Sequence, residues 1–224
     1  MARETIPPLL QRLLPGTPYL RSTPGDSPLV TTVNLGVSHY FGVGPYLHLV
    51  TQLRRDAVRF TAESLPFSAP PEPFDVTTHT RATAGLGRDP WLRDAAHRDA
   101  NAGWDIEDVR DRYTTDLFGV DVLRLRQQDP ERADELFRAT NAELFERVWS
   151  EWRRGGSRCS GAITFAFRDL LLGPGAGRVD VVDRPKVTWY VLRRLMRPVA
   201  VLLTDEGLSG LSADVVNDPA VPFR

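Results

Sequence analysis

Apolar and polar positions alternate along parts of the chain in a way that predicts short strands separated by helices. In residues 57–64, Val58, Phe60 and Ala62 fall on one side of an extended chain, and Arg59, Thr61 and Glu63 fall on the other. Residues 30–41 are rich in β-branched side chains, and residues 161–169 carry no charge before their last two positions. We therefore expect strands in all three segments, with the last one buried on both faces.

Helical spacing of apolar residues marks four further segments, at 6–14, 46–55, 131–154 and 185–197. The third is the best defined, because Asp129 can cap its start, Pro130 suits the first helical position and Gly155-Gly156 can end it. The tail, residues 199–218, reads as two short strands around Asp205-Glu206-Gly207 and predicts a hairpin. The apolar stripe of the third helix, which we assign to the core, consists of Phe137, Leu144, Phe145, Val148, Trp149 and Trp152.

This order of about four strands alternating with helices predicts an α/β fold with parallel strands. A complete (β/α)8 barrel needs about 250 residues, and the chain has 224 with an aperiodic stretch at 65–90. Four βα units and a β tail fit this length. The aperiodic stretch directly follows the strand at 57–64, which favours an active-site loop.

Composition narrows the function without assigning one. The net charge of −1, with interleaved acids and bases, gives no reason to expect a nucleic-acid or membrane partner. The single cysteine, Cys159, cannot form an internal disulfide, and we expect it to be a small core residue. No metal or cofactor site is predicted. With no signal peptide at the N-terminus, the expected location is the cytoplasm.

Glu63 is the first candidate for chemistry, because barrel enzymes place reacting groups at the carboxyl ends of strands. A carboxylate there can attack an anomeric carbon, although a solvated loop residue is the alternative. His39 and Tyr40 end the preceding predicted strand, and Asp169 ends the last one. A histidine can bind a sugar hydroxyl and a tyrosine can hydrogen-bond a carboxylate, so we expect Tyr40, Glu63 and Asp169 to share one cleft.

The order of four motifs resembles the C-terminal part of glycoside hydrolase family 2, in its β-mannosidase-like branch. These are HY at 39–40, RFTAES at 59–64, EWRRGGSRCSGAITFAFRD at 151–169, and VVDRPKVTWYVLRRLMRPVAVLLTDEG at 181–207. The resemblance implies a retaining glycosidase with Glu63 as nucleophile, acting on a β-mannoside or a related β-glycoside. It places Phe165 where the family has a tryptophan that stacks on the sugar.

The resemblance further implies that the chain is the C-terminal half of a (β/α)8 TIM barrel, about strands 5–8, followed by the start of an immunoglobulin-like β domain. The corresponding domains are residues 1–198 and 199–224. The sequence departs from the family at the positions that flank the nucleophile, Ala62 and Ser64-Leu65. It also departs at Phe165, at Arg168-Asp169 in place of an Asn-Asp pair, and at Arg178 in place of an aromatic residue.

The family's general acid/base is a glutamate that follows an asparagine on a strand expected to precede this chain, so we expect the chain to lack it. A half-barrel has two open sheet edges, which predicts self-association or binding of a complementary N-terminal fragment. The alternative function is a non-catalytic carbohydrate-binding or degenerate form of the same fold.

Overall fold

The computed structural model describes residues 2–25, 29, 32–72, 105–170 and 173–218, and its helices account for most of the regular structure. The longest, α5, runs over Pro130–Arg153, and the Asp129 side chain accepts a hydrogen bond from the Arg132 N–H at 2.9 Å, as the sequence predicts. The helices are α1 (Ala2–Leu13), α2 (Leu53–Asp56), α3 (Ile106–Phe118), α4 (Val122–Gln128), α5 and α6 (Val187–Leu195).

Two parallel strands, β1 (Ser38–Tyr40) and β2 (Thr61–Ser64), lie beside a third extended segment at 160–165. The Thr61 N–H donates to the Gly161 carbonyl at 3.1 Å, and the Ile163 N–H donates to the Thr61 carbonyl at 2.8 Å. These bonds make a parallel bridge between Thr61 and Ala162. β2 therefore has parallel neighbours on both sides, in the order that the sequence predicts.

The core lies between these strands and α5. Leu144, Phe145, Val148 and Trp152 of α5 are buried in one cluster, which confirms the core role of these stripe residues. The cluster also contains residues of β1 and α3, and Leu65, which directly follows β2. Phe137 belongs to a second cluster with Val122 and Ala133, and Trp149 is only partly buried. Cys159 packs against the main cluster, and burial raises the pKa of its thiol. The helix stripe thus fixes the layer against which the strands pack.

An antiparallel hairpin ends the described chain. Strands β3 (Val199–Asp205) and β4 (Leu211–Asn217) pair from Val199–Asn217 to Asp205–Leu211, around a short 3-10 turn at Gly207–Ser209. The predicted hairpin is confirmed. Leu202 and Thr204 are buried against the helices, whereas Val201 on the opposite face is 58% exposed.

Three predicted elements are shorter than the sequence suggests or are absent. Of the strand expected at 30–41, the described residues 32–41 are regular only at Ser38–Tyr40, and the helix expected at 46–55 begins with a 3-10 turn at Val50–Gln52. The strand expected at 161–169 is wrong as a two-sided buried strand, because Ile163 is 56% and Phe167 69% exposed. Residues 161–165 pair with β2, whereas residues 166–169 bond to residues 176–179, with a parallel bridge between Arg168 and Val179. Within the described residues, no helix has the length and apolar character that a bilayer crossing requires.

Candidate functional site

The carboxyl ends of β1 and β2 bring His39 and Glu63 side by side. The two residues are partners in the parallel register, and their side chains lie on the same face because both strands alternate. His39 Nδ1 lies 3.9 Å from Glu63 Oε2, and the two side chains are 27% and 25% exposed. This is an accessible carboxylate beside an imidazole, at the strand end where the sequence places the reacting group.

The second nitrogen of His39 is held from a distant part of the chain. His39 Nε2 lies 3.2 Å from Thr23 Oγ1, and its ring meets Phe41 edge-on at 6.1 Å between centroids. Phe41 in turn meets Tyr46 edge-on at 6.4 Å. Thr23, Phe41 and Tyr46 extend the site beyond the predicted residues. Phe41 adjoins the His39-Tyr40 pair in sequence, whereas no local signal identifies Thr23.

Hydroxyl groups fix the backbone that carries Glu63. Thr61 Oγ1 donates to the Glu63 carbonyl at 2.6 Å and accepts from the Tyr40 N–H at 3.0 Å. Ser64 Oγ donates to the Ile163 carbonyl at 3.0 Å. Both hydroxyl residues are fully buried, so the Glu63 backbone is tied to the segments on either side of it.

Phe165 lies at the end of the third extended segment. Its N–H donates to the Ser64 carbonyl at 2.9 Å, which places its backbone next to the residue that follows Glu63. The Phe165 residue is partly exposed, and the Phe165–Ala166 peptide bond is cis. His39, Glu63 and Phe165 are thus at the ends of three adjacent parallel segments.

Tyr40 does not lie in the cleft with Glu63, and its predicted position is wrong. The side chain is 1% exposed and packs edge-on against Trp152 of α5, with 5.6 Å between ring centroids. Its hydroxyl donates to Asp56 Oδ2 at 2.6 Å and accepts from the Val43 N–H at 3.1 Å. Strand alternation explains the correction, because adjacent residues of β1 point to opposite faces and His39 takes the face of Glu63. A residue sealed in this way has no surface for a sugar.

Asp169 is likewise held in the interior rather than in the cleft, so its predicted sugar contact is not supported. Asp169 is 6% exposed; its Oδ2 accepts from Lys186 Nζ at 2.7 Å and its Oδ1 from the Gly177 N–H at 2.6 Å. Burial lowers the pKa of Lys186 to about 8, and the Asp169 charge opposes this shift. The loop crowds the carboxylate so closely that a Cβ on Gly175 would lie 2.4 Å from Asp169 Oδ1. Asp169 is therefore the anchor of the loop that follows residue 169.

Arg178 joins that loop to the strand ends. The guanidinium is buried over the Phe145 ring at 4.3 Å from its centroid, and Nη2 donates to the carbonyls of Phe165 at 2.6 Å and Leu65 at 3.2 Å. Burial lowers the pKa of Arg178 to about 9. In the sequence, Arg178 is distinguished only by its departure from the family pattern. In the structure it connects the residues that follow β2 and the segment 160–165.

Among the described residues, no group of three or more His, Cys, Asp or Glu side chains is arranged to hold a metal ion. The chemistry that these residues offer is that of an accessible carboxylate, an adjacent imidazole and an aromatic strand end.

Comparison with known proteins gives a structural neighbour. No family model and no curated protein matches the chain. Among solved structures, the β-D-mannosidase from Dictyoglomus thermophilum superposes with a TM-score of 0.69 at 18% sequence identity, covering 95% of this chain and 25% of that one. The chain is thus a mixed α/β protein with a glycosidase-like fold, and it spans a quarter of the neighbour's length.

Proposed function

We propose that this chain carries the nucleophile side of a retaining glycosidase site, with Glu63 as the nucleophile. The observation that carries the proposal is the position of Glu63 at the carboxyl end of a strand with parallel neighbours, one quarter exposed beside His39. The likeness to a β-mannosidase fold supports a β-mannoside or related β-glycoside as the substrate class. In a retaining mechanism such a carboxylate forms a covalent glycosyl intermediate.

The proposed architecture is the C-terminal half of a (β/α)8 barrel. β1, β2 and the segment 160–165 are then consecutive barrel strands, α5 and α6 belong to the outer helix layer, and the hairpin from Val199 opens an immunoglobulin-like β domain. The parallel order of the three segments and the helix layer on one side of them support this assignment. Residues 1–198 and 199–224 are the proposed domains.

In this proposal His39 binds a sugar hydroxyl and Phe165 offers an apolar surface to the sugar ring. Tyr40 and Asp169 do not contact the sugar and have a structural role only. The proposal assigns no general acid/base to the described residues. A single carboxylate of this kind can form the glycosyl bond but does not protonate the leaving oxygen.

Binding tests the carbohydrate part of the proposal without requiring turnover. In heteronuclear NMR titrations with methyl β-mannoside, we expect the resonances of His39, Glu63 and Phe165 to shift. His39→Ala should weaken binding about tenfold or more, because the variant loses one to two polar contacts with the sugar. His48→Ala is the matched control, because His48 bonds Asp56 rather than Glu63. Shifts confined to other regions, or equal losses in both variants, would contradict this assignment.

A second candidate function is carbohydrate binding without catalysis. It is favoured by the interior placement of Tyr40 and Asp169, which leaves Glu63 with fewer polar neighbours from the predicted set. This alternative predicts binding of the sugar with no covalent product at Glu63.

A further inference from the structure

Thr23, His39 and Glu63 lie side by side across three neighbouring segments of the backbone. Gly25 and Val37 exchange two main-chain bonds of 2.8 and 3.0 Å and form an antiparallel bridge. Thr23 and His39 each lie two residues from this bridge, in opposite chain directions, which brings them opposite one another. On its other side His39 is the register partner of Glu63 in β2. The backbone therefore places a hydroxyl on one side of the imidazole and a carboxylate on the other.

Each nitrogen of the His39 ring faces one of these two side chains. Nε2 lies 3.2 Å from Thr23 Oγ1, and Nδ1 lies 3.9 Å from Glu63 Oε2. The first distance is that of a hydrogen bond, whereas the second is longer than one. Nδ1 is therefore held near the carboxylate without a direct hydrogen bond, and a sugar hydroxyl beside Glu63 can still reach it.

The carboxylate of Glu63 determines which nitrogen of His39 carries the proton. A neutral imidazole has one N–H, and its other nitrogen carries a lone pair. An ionised carboxylate only accepts hydrogen bonds, so it attracts an Nδ1–H and repels an Nδ1 lone pair. With the proton on Nδ1, Nε2 is an acceptor, and the Thr23 hydroxyl donates to it. The hydroxyl in turn stabilises this tautomer, because the bond made by one ring nitrogen sets the protonation of the other.

We propose that Thr23 is a positioning residue of this site, whose hydroxyl donates to His39 Nε2 and keeps the ring proton on Nδ1. His39 then offers an N–H, and not a lone pair, to a sugar hydroxyl beside Glu63. Thr23 acts through His39 and does not itself contact the sugar. The sugar contact rests on the proposed function, whereas the tautomer of His39 is measured without any sugar.

Nitrogen-15 NMR of the histidine rings measures this tautomer directly. At a pH of about 8.5, where an ordinary imidazole is neutral, we expect His39 to carry its proton on Nδ1. Thr23→Val removes the hydroxyl and keeps the side-chain shape. The ratio of the Nδ1–H form to the Nε2–H form should therefore fall about fivefold, which is the effect of one ordinary hydrogen bond. Thr23→Ser keeps the hydroxyl and should keep the ratio of the parent chain.

Two controls separate this effect from a general disturbance of the fold. Ser22→Ala removes the neighbouring hydroxyl, which donates to the Pro24 carbonyl at 3.4 Å and not to the imidazole. This variant should leave the His39 tautomer unchanged. The ring of His48, whose Nδ1 lies 3.2 Å from Asp56 Oδ2, should give the same spectrum in every variant.

Binding of methyl β-mannoside connects the tautomer to the site. Thr23→Val should weaken the affinity by the factor by which the Nδ1–H fraction falls, and so by no more than about fivefold. In the His39→Ala background the same change should have no further effect.

Four results would overturn the proposal. They are an Nε2–H tautomer in the parent chain, a tautomer ratio that Thr23→Val does not change, an equal change in Ser22→Ala, and a loss of affinity that persists without His39. A tautomer shift in a chain that binds no mannoside would support the Thr23 contact and overturn the proposed function.

Discussion

Lys186 and Asp169 form a buried ion pair, with 2.7 Å between Nζ and Oδ2 and with Lys186 fully buried. Lys186 Nζ also donates to the Gly175 carbonyl at 2.7 Å. The ion pair therefore connects Asp169 at the start of the loop, Gly175 within the loop, and Lys186, which directly precedes α6. Both charges are buried away from water, so removing either one leaves the other without a partner to stabilise it.

Replacing Asp169 by asparagine should lower the free energy of unfolding by about 3–5 kcal/mol, because it leaves the Lys186 charge buried without its partner. Urea unfolding followed by circular dichroism measures this loss. Asp183→Asn is the matched control, since Asp183 pairs with Arg168 at the surface, and it should change the free energy by less than about 0.5 kcal/mol.

The double variant Asp169→Asn with Lys186→Met should recover part of that loss, since it removes the unpaired charge. A loss below about 1 kcal/mol in Asp169→Asn alone would show that the pair does not hold the loop in solution.

Tyr40→Phe separates a fold role from a sugar-binding role. We expect a loss of about 1–3 kcal/mol in the free energy of unfolding, since Asp56 loses a charge-assisted donor in a part-buried position. The affinity for methyl β-mannoside should not change, because the Tyr40 side chain lies on the opposite face of β1 from His39. A weaker affinity with unchanged stability would contradict the interior placement.

Arg54 couples the hairpin to the helix layer and makes this contact dependent on pH. The guanidinium contacts Glu206 at 2.6 Å and Glu151 at 2.8 Å, and it lowers the pKa of Glu206 to about 2. A carboxylate whose pKa is lowered on folding stabilises the fold above its ordinary pKa near 4.5, and this contribution is lost as the pH falls toward 2.

Arg54→Met should therefore destabilise the chain at pH 6 and make progressively less difference as the pH falls from about 4.5 to 2. Thermal unfolding across this range, at low salt, measures the difference. Arg112→Met, which removes an exposed pair within α3, is the control. An effect of Arg54→Met that grows on acidification would contradict the assigned contact.

The sequence correctly predicted those helices and strands that are determined by residues close together in the chain. The end groups of α5 and its apolar stripe act within one helix, and the alternation in residues 57–64 predicted a strand that the structure shows at Thr61–Ser64. The helices α3 and α4 were not predicted, although Asp105 caps α3 and Gly119 ends it in a left-handed conformation. These two end signals are present in the sequence, but they follow a long segment without apolar periodicity, and the helix between them was missed.

Other features of the fold could not be predicted from the sequence, because they depend on contacts between residues that are far apart in the chain. Position at a strand end does not say which face a side chain takes, and the register of β1 shifts between Ser38 and His39. Asp169 meets Lys186 only because the loop folds back across 17 positions. The predicted burial of residues 161–169 failed because burial depends on which other segments pack against a strand, and the apolar composition of the strand itself does not determine that; Ile163 and Phe167 are more than half exposed.

The isolated chain should not turn over unactivated β-mannosides at a detectable rate. Positioned proton transfer to the leaving oxygen is worth about 10²–10⁴-fold, and the proposal assigns no general acid/base to the described residues. Reducing-sugar assays with mannobiose measure this activity. Normal turnover by the chain alone would show that it carries its own general acid.

Covalent labelling of Glu63 is the decisive test of its role as the nucleophile. The chain is incubated with 2-deoxy-2-fluoro-mannosyl fluoride, whose good leaving group needs little protonation, and the labelled peptide is identified by mass spectrometry. We expect slow addition of one fluoromannosyl group to Glu63 and none to the Glu63→Gln variant, with Glu143→Gln labelled like the parent chain. A label on Glu63→Gln, or on a residue other than Glu63, would contradict the nucleophile assignment. Reversible binding of methyl β-mannoside without any label would favour the non-catalytic alternative.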